Sequence, residues 1–256
     1  MHDRLHGRRI VVVGAGTGIG AATVQRLCAE GARVCVADLN LAGAQSVASE
    51  LRDAGHDAFA LPVDVTDEIA VNACFAQAAE RLGGLDGCHF NAADLHTIFA
   101  DSDALAVDLA VFDRTLAVNL RGSLLCTRAA LPHLLASGRG AIVYTGSDAS
   151  DAGDPERPSY AASKSGLNAL MRHVASRWGR EGLTANCISP GFVLTPEMTA
   201  RGGVPQALLD QYLTVTRSTR LGQVADIAAM VAMLLSDDAR WINGQVIRVD
   251  GGALLG

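Results

Sequence analysis

Lysine is nearly missing from this 256-residue chain, occurring once, at Lys164. The net charge is −6 and there is no block of Lys and Arg. Phosphate backbones are bound by a concentrated basic face, so no nucleic-acid partner is expected. Long hydrophobic runs are missing too. Although 49% of the residues are apolar, the longest stretch, ending at Leu235, falls far short of the roughly 18 residues a membrane span needs, and no membrane partner is expected. Met1 to Arg9 lacks the apolar core of a secretory signal, which points to a cytoplasmic protein. No C-x-x-C pair occurs. Cys28, Cys35, Cys74, Cys88, Cys126 and Cys187 lie scattered among apolar neighbours and read as reduced thiols filling a core, with no metal site expected.

What is present is alternation. Short apolar or β-branched runs at Ile10 to Val13, Val34 to Ala37, Ala58 to Val63 and Leu85 to Phe90 are separated by longer helical stretches. Ala141 to Thr145, Thr184 to Ser189 and Gln245 to Val249 supply three more runs. Unbroken apolar strands are buried on both faces, so this order predicts an α/β fold: a doubly wound, seven-stranded parallel sheet with helices on both faces. Gly20, Val24, Leu27, Cys28 and Gly31 form one stripe of the first helix, with Gly31 as its left-handed cap. No repeat or linker interrupts the chain, so residues 1–256 read as one domain. The long crossover from Phe192 to Gly222 is the candidate substrate lid.

Gly14-Ala15-Gly16-Thr17-Gly18-Ile19-Gly20 follows the first strand and opens the first helix. A pyrophosphate would meet free backbone N–H groups there, and side chains would block its approach. Such glycines also mark ordinary tight turns. Asp38 lies about 20 residues beyond Gly18, the spacing at which a carboxylate accepts hydrogen bonds from adenosine ribose hydroxyls. It would repel a 2′-phosphate, and neither Thr17 nor Leu39 offers a basic side chain to hold one. NAD is therefore favoured over NADP. Asp38 also reads as a helix cap before Asn40, a role compatible with the first.

Tyr160-Ala161-Ala162-Ser163-Lys164 sets a phenol and an ammonium one helical turn apart on one face. A phenol is a poor base at neutral pH, and an adjacent cation favours its ionised form. The pair suits proton transfer in alcohol–ketone chemistry.

With these motifs in view, nearly the whole chain resembles the short-chain dehydrogenase/reductase family, in its compact single-domain type. The resemblance implies a Rossmann fold, a nicotinamide cofactor and a secondary alcohol or ketone as substrate. It also implies catalytic roles for Asn119, Ser147, Tyr160 and Lys164. Ser147 follows the fifth run and would hold the substrate oxygen. Asn119, in Leu116-Ala117-Val118-Asn119-Leu120, matches an asparagine at a helix irregularity in the proton relay, although locally it reads equally as an ordinary polar helix residue. Asp64 and Val65 resemble the family's adenine contacts, and Asn91-Ala92-Ala93 its Asn-Ala-Gly turn. Ala93 in place of glycine, Phe90 in place of a frequent asparagine and Val13 in place of a common threonine depart from the pattern. Pro190, Gly191, Val193 and Thr195 resemble the nicotinamide clamp, with Gly14, Gly16, Thr17, Gly18, Ile19, Asp38 and Leu39 around the pyrophosphate and ribose. Family members assemble as tetramers or dimers, through the helices here at Asp103 to Ala136 and the strand at Gln245 to Gly252. Two alternatives remain: an NADPH-dependent ketoreductase, and a catalytically silent NAD-binding regulator on the same fold.

For the substrate the sequence offers two clues. Phe192, Met198, Leu208, Leu209 and Tyr212 suit an apolar lid over a sterol, terpene or aromatic alcohol, or simply pack the lid's helices. Asp148, Asp151, Asp154, Glu156 and Arg157 suit a polyol, or form a solvated loop.

Overall fold

The computed structural model describes residues 3–196, 198 and 203–255. Its centre is a parallel sheet of seven strands: β1 (Arg9–Val13), β2 (Arg33–Asp38), β3 (Ala58–Pro62), β4 (Gly87–Phe90), β5 (Ala141–Thr145), β6 (Thr184–Pro190) and, after two short strands, β9 (Val246–Val249). The spatial order is β3-β2-β1-β4-β5-β6-β9, so the winding reverses between β1 and β4. A crevice opens at such a reversal, outside the carboxyl ends of the strands.

Alternate side chains of β1 feed two separate cores. Val11 and Val13 pack with Val71 and Phe75 of α3 (Glu68–Leu82), Leu134 of α5 (Gly122–Ser137), and Leu167 and Met171 of α6 (Pro158–Trp178). Ile10 and Val12 pack with Val24 and Leu27 of α1 (Gly18–Ala29), Val47 and Leu51 of α2 (Leu41–Asp53), and Ile227 and Val231 of α8 (Val224–Leu234). Both faces are therefore covered. All six cysteines are free and buried in these cores, and burial pushes the Cys28 thiol up to about 12, far from a reactive thiolate. No helix among the described residues is long and apolar enough to cross a membrane.

The boundaries move slightly from the sequence expectation. The fourth strand begins at Gly87 rather than Leu85 because Asp86 is turned into a charge cluster. The Asp86 carboxylate takes Arg9 Nε at 2.8 Å and Arg139 Nε at 3.0 Å. Burial alone would raise this carboxyl, but the hydrogen bonds from Arg9 and Arg139 overcome it and hold it at about 2. The third strand ends at Pro62, which is tolerated because β3 lies at the edge of the sheet, and the Val63 N–H still donates to the Asp38 carbonyl at 3.0 Å. Gly31, at φ +90°, stands just past the end of α1, as a left-handed cap requires.

The crossover from β6 carries structure that its sequence did not announce. β7 (Val193–Leu194) pairs in parallel with β8 (Gly222–Gln223), tying the two ends of the segment together. Between them lies α7 (Gln206–Val215), whose Tyr212 ring stacks on Phe192 at 3.9 Å. Residues 197 and 199–202 of the expected lid lie outside the described residues.

Candidate active site

The crevice is closed at its base by contact between the two half-sheets. Gly14, at φ +78°, lies so close to the turn after β4 that a Cβ there would come within 2.6 Å of the Ala92 nitrogen. A Cβ on Gly20 would collide with the Gly14 carbonyl, and one on Gly16 would come within 3.1 Å of the Asp38 carboxyl. Each glycine is thus required by a named neighbour. At the start of α1, Thr17 makes no side-chain cap and the first turn holds no acidic residue. This helix end, with its positive dipole pole, suits an anionic group. The turn therefore fits a dinucleotide pyrophosphate.

Asp38 ends β2 beside this turn. One of its oxygens accepts the N–H of Gly16 and the other that of Asn40, both at 2.8 Å. Asn40 rather than Asp38 is the residue that caps α2, accepting from Gly43 N at 3.2 Å. Leu39 is exposed, and Ile19 packs onto the core that holds α1. After β3, Asp64 accepts the backbone N–H of Thr66 at 2.9 Å and its hydroxyl at 2.7 Å. The Thr66 hydroxyl, then its N–H, hold the Asp64 carboxyl below its usual range. Val65 is buried where a Cβ on Gly122 would come within 2.8 Å of its side chain.

Asn91 follows β4 and spans the reversal. Its Nδ2 donates to the Gly14 carbonyl at 2.9 Å, and its Oδ1 accepts from Thr145 Oγ1 at 3.1 Å. With its one hydrogen so used, Thr145 Oγ1 accepts from His89 Nε2 at 2.8 Å. That ordering fixes the His89 tautomer: Nε2 carries the proton and Nδ1, which is buried, has no partner. Ala92 and Ala93 complete the turn.

Lys164 lies in the second turn of α6 with 2% of its surface exposed. Its Nζ donates to the Thr145 carbonyl at 2.7 Å and lies 5.5 Å from the centre of the Tyr160 ring. The strand end, the ammonium and the phenol are thus assembled together. Ser147 stands two residues beyond β5, and its hydroxyl accepts from Ala149 N at 3.2 Å to cap the short helical turn Asp148–Ser150. Ser165 Oγ and Asn168 Nδ2 bind that turn to α6 through Ser150, at 3.0 and 3.2 Å. Burial raises the neighbouring Asp148 carboxyl to about 6, with the nearby Asp250 adding to the rise and the Ser189 hydroxyl opposing it.

Asn119 sits in a π-helical stretch, Ala117–Arg121, between α4 (Leu109–Leu116) and α5. It is almost fully buried. Its Oδ1 accepts from Asp94 N at 2.9 Å and its Nδ2 donates to Ser163 Oγ at 3.1 Å, while Ser163 Oγ donates to the Tyr160 carbonyl at 2.7 Å. Pro190 ends β6, and a Cβ on Gly191 would come within 2.9 Å of Asp250 Cβ. Val193 is buried in β7, and Thr195 Oγ1 receives the N–H of Met198 at 3.4 Å.

Three residues that hold this site carried no role in the sequence reading: His89, Thr145 and Asp101. A histidine in the apolar run Gly87-Cys88-His89-Phe90 and a threonine closing Ala141-Ile142-Val143-Tyr144-Thr145 are signals of a buried polar pair. Asp101, in Ala100-Asp101-Ser102-Asp103, is indistinguishable by composition from any turn aspartate.

Comparison with known proteins extends over almost the entire chain. The family model described as Enoyl-(Acyl carrier protein) reductase matches residues 14–253. A "Probable short-chain type dehydrogenase/reductase" of Bradyrhizobium diazoefficiens is 41% identical over 252 residues, covering 98% of this chain and 89% of that protein. The cis-4-hydroxycyclohexanecarboxylate dehydrogenase of Sinomonas cyclohexanicum is 36% identical over 251 residues, 96% of each. The crystal structure of levodione reductase superposes with a TM-score of 0.89 at 32% identity, covering 96% of this chain and 97% of that one.

Proposed function

Because this chain belongs to the short-chain dehydrogenase/reductase family, we propose that it is an NAD-dependent oxidoreductase acting on a secondary alcohol or its ketone. The observation that carries this reading is the buried Lys164 ammonium, 5.5 Å from the Tyr160 ring and hydrogen-bonded to the carbonyl that ends β5.

In oxidation, Tyr160 takes the hydroxyl proton of the substrate as the carbon–oxygen double bond forms. Ser147 donates a hydrogen bond to the same oxygen and steadies its developing charge. Lys164 sets its positive charge beside the Tyr160 ring, and its remaining N–H groups suit ribose hydroxyls. Asn119 keeps the helix around Tyr160 and the loop at Asp94 in fixed relation. A bound nicotinamide would supply the hydride acceptor for this direction and the hydride donor for the other. Gly14, Gly16, Thr17, Gly18 and Ile19 would receive the pyrophosphate and Asp38 the adenosine ribose, with Leu39, Asp64 and Val65 around the adenine. Asn91, Ala92, Ala93, Pro190, Gly191, Val193 and Thr195 would line the nicotinamide half.

The carboxylate of Asp38 and the exposed apolar Leu39 support NAD over NADP. A ring-borne secondary alcohol is the substrate class favoured here, supported by a relative named for cis-4-hydroxycyclohexanecarboxylate and by the aromatic stack of Phe192 on Tyr212 in the candidate lid, 192–222. An apolar groove lined by Leu116, Ala117, Leu120, Leu124 and Leu170 supports assembly of two or four copies through the α4–α5 face.

The test is Tyr160→Phe, assayed with NAD and a panel of secondary alcohols that includes cyclohexanol. Turnover falls by about 10²- to 10⁴-fold, while NAD binding, followed by protein fluorescence, is unchanged. A variant as active as the wild type would remove Tyr160 from the chemistry.

A further inference from the structure

The first N–H groups of a helix need acceptors, which usually come from the residue at the capping position. Helices α2, α3 and α4 are capped in that local way: Asn40 accepts from Gly43, Asp67 from Ile69 and Ala70, and Asp108 from Ala110. The helix that carries Tyr160 is different. Its capping residue, Arg157, is in the left-handed conformation at φ 65° and makes no side-chain cap. Pro158 has no N–H to offer. The acceptor comes instead from Asp101, in the loop between β4 and α4, 59 residues away from Tyr160.

Asp101 is 4% exposed. Its Oδ1 accepts the Ser159 hydroxyl at 2.7 Å and the Ser159 N–H at 3.3 Å, and its Oδ2 accepts the Tyr160 N–H at 2.9 Å. The next residue, Ser102, accepts the Arg157 N–H through its carbonyl at 2.8 Å. A buried carboxylate therefore grips the two residues at the root of the phenol. On the other side of the same Cα, the Tyr160 carbonyl is held by Ser163 Oγ, which Asn119 Nδ2 holds in turn. With both flanking peptide groups fixed, the phenol retains only its own side-chain torsions.

We propose that Asp101 is a positioning residue: its carboxylate fixes the main chain of Tyr160 and thereby aims the phenol at the reacting oxygen. The proposal rests on the reading of Tyr160 as the proton-transfer group. Geometry of this kind matters because a misplacement of about 1 Å can cost 10²-fold in rate. A cap that served stability alone would lower the melting temperature without touching the chemical step.

The experiment compares Asp101→Ala, Asp101→Asn, Asp108→Ala and Tyr160→Phe with the wild type, using NAD and the panel alcohol that the wild type oxidises fastest. Asp108→Ala removes an exposed, local cap and controls for stability. In Asp101→Ala, kcat falls about tenfold to a hundredfold, while the NAD dissociation constant, read by fluorescence, moves less than about twofold. Asp101→Asn, whose amide oxygen still accepts from Tyr160, recovers most of that loss. Asp108→Ala lowers the melting temperature and leaves kcat unchanged. Wild-type kcat in a folded Asp101→Ala variant would overturn the proposal. If that variant does not fold, the near-isosteric Asp101→Leu, which cannot accept from Tyr160, decides: a loss in kcat of about threefold or more with unchanged NAD affinity supports the positioning role, and wild-type kcat overturns it. An inactive Tyr160→Phe beside a fully active Asp101→Ala sinks the positioning role alone, whereas an active Tyr160→Phe sinks both readings.

Discussion

The side-chain amide of Asn91 donates to the carbonyl of Gly14 at 2.9 Å, joining the two half-sheets where the winding reverses. The same side chain accepts from Thr145, whose carbonyl anchors Lys164. One residue thus links the glycine-rich turn to the ammonium. Asn91→Ala strips partners from two largely buried groups, a loss of about 1–3 kcal/mol in stability. The glycine turn then loses its tie across the crevice, so NAD affinity drops roughly tenfold. Isothermal titration with NAD checks this; unchanged affinity would detach Asn91 from the cofactor side.

His89 reports on the interior through pH. Burial holds its imidazole down at about 3, well below the ordinary histidine range near 6.5. Between those values the unfolded chain binds a proton that the native state refuses. Stability from this group is therefore complete above about pH 6.5 and is lost as the pH falls toward 3. At pH 4 the loss amounts to roughly 3 kcal/mol. His89→Leu removes this contribution, so its urea unfolding midpoint changes less between pH 7 and pH 4 than that of the wild type. Equal changes in the two proteins would show that His89 is not buried as a neutral group.

In the proposed reading, Asp38 and Leu39 set the choice of cofactor. The double variant Asp38→Ala, Leu39→Arg exchanges a repelling carboxylate for a guanidinium that pairs with a 2′-phosphate. A charge-assisted hydrogen bond contributes about 1.5–3 kcal/mol, so the ratio of NADP to NAD affinity rises roughly 10- to 100-fold. Competition binding of the two cofactors measures that ratio. A wild-type protein that already prefers NADP would reverse the assignment.

The parts of the fold visible in the sequence are those whose physics is local. Ile10 to Val13 is a β-branched run that no helix would favour, and it forms β1 within one residue of its expected start. Gly14 and Gly20 announce themselves because a backbone approach excludes every other side chain. Tyr160 and Lys164 are one helical turn apart in sequence and in space. By contrast, β7 and β8 are two residues each, too short for any periodicity to register. Leu85 reads as strand because the reach of Arg9 and Arg139 to Asp86 is a contact between distant segments. Asp101 is hidden for the same reason: its meaning lies wholly in a helix 58 residues further on.

The single lysine has an outcome for the rest of the surface. Acylating agents, cyanate and reducing sugars attack the primary amines that stud most soluble proteins. In this chain the one ε-amine is enclosed at 2% exposure, and the other cationic side chains are guanidinium or imidazole. Amine chemistry aimed at side chains therefore has no target on the outside.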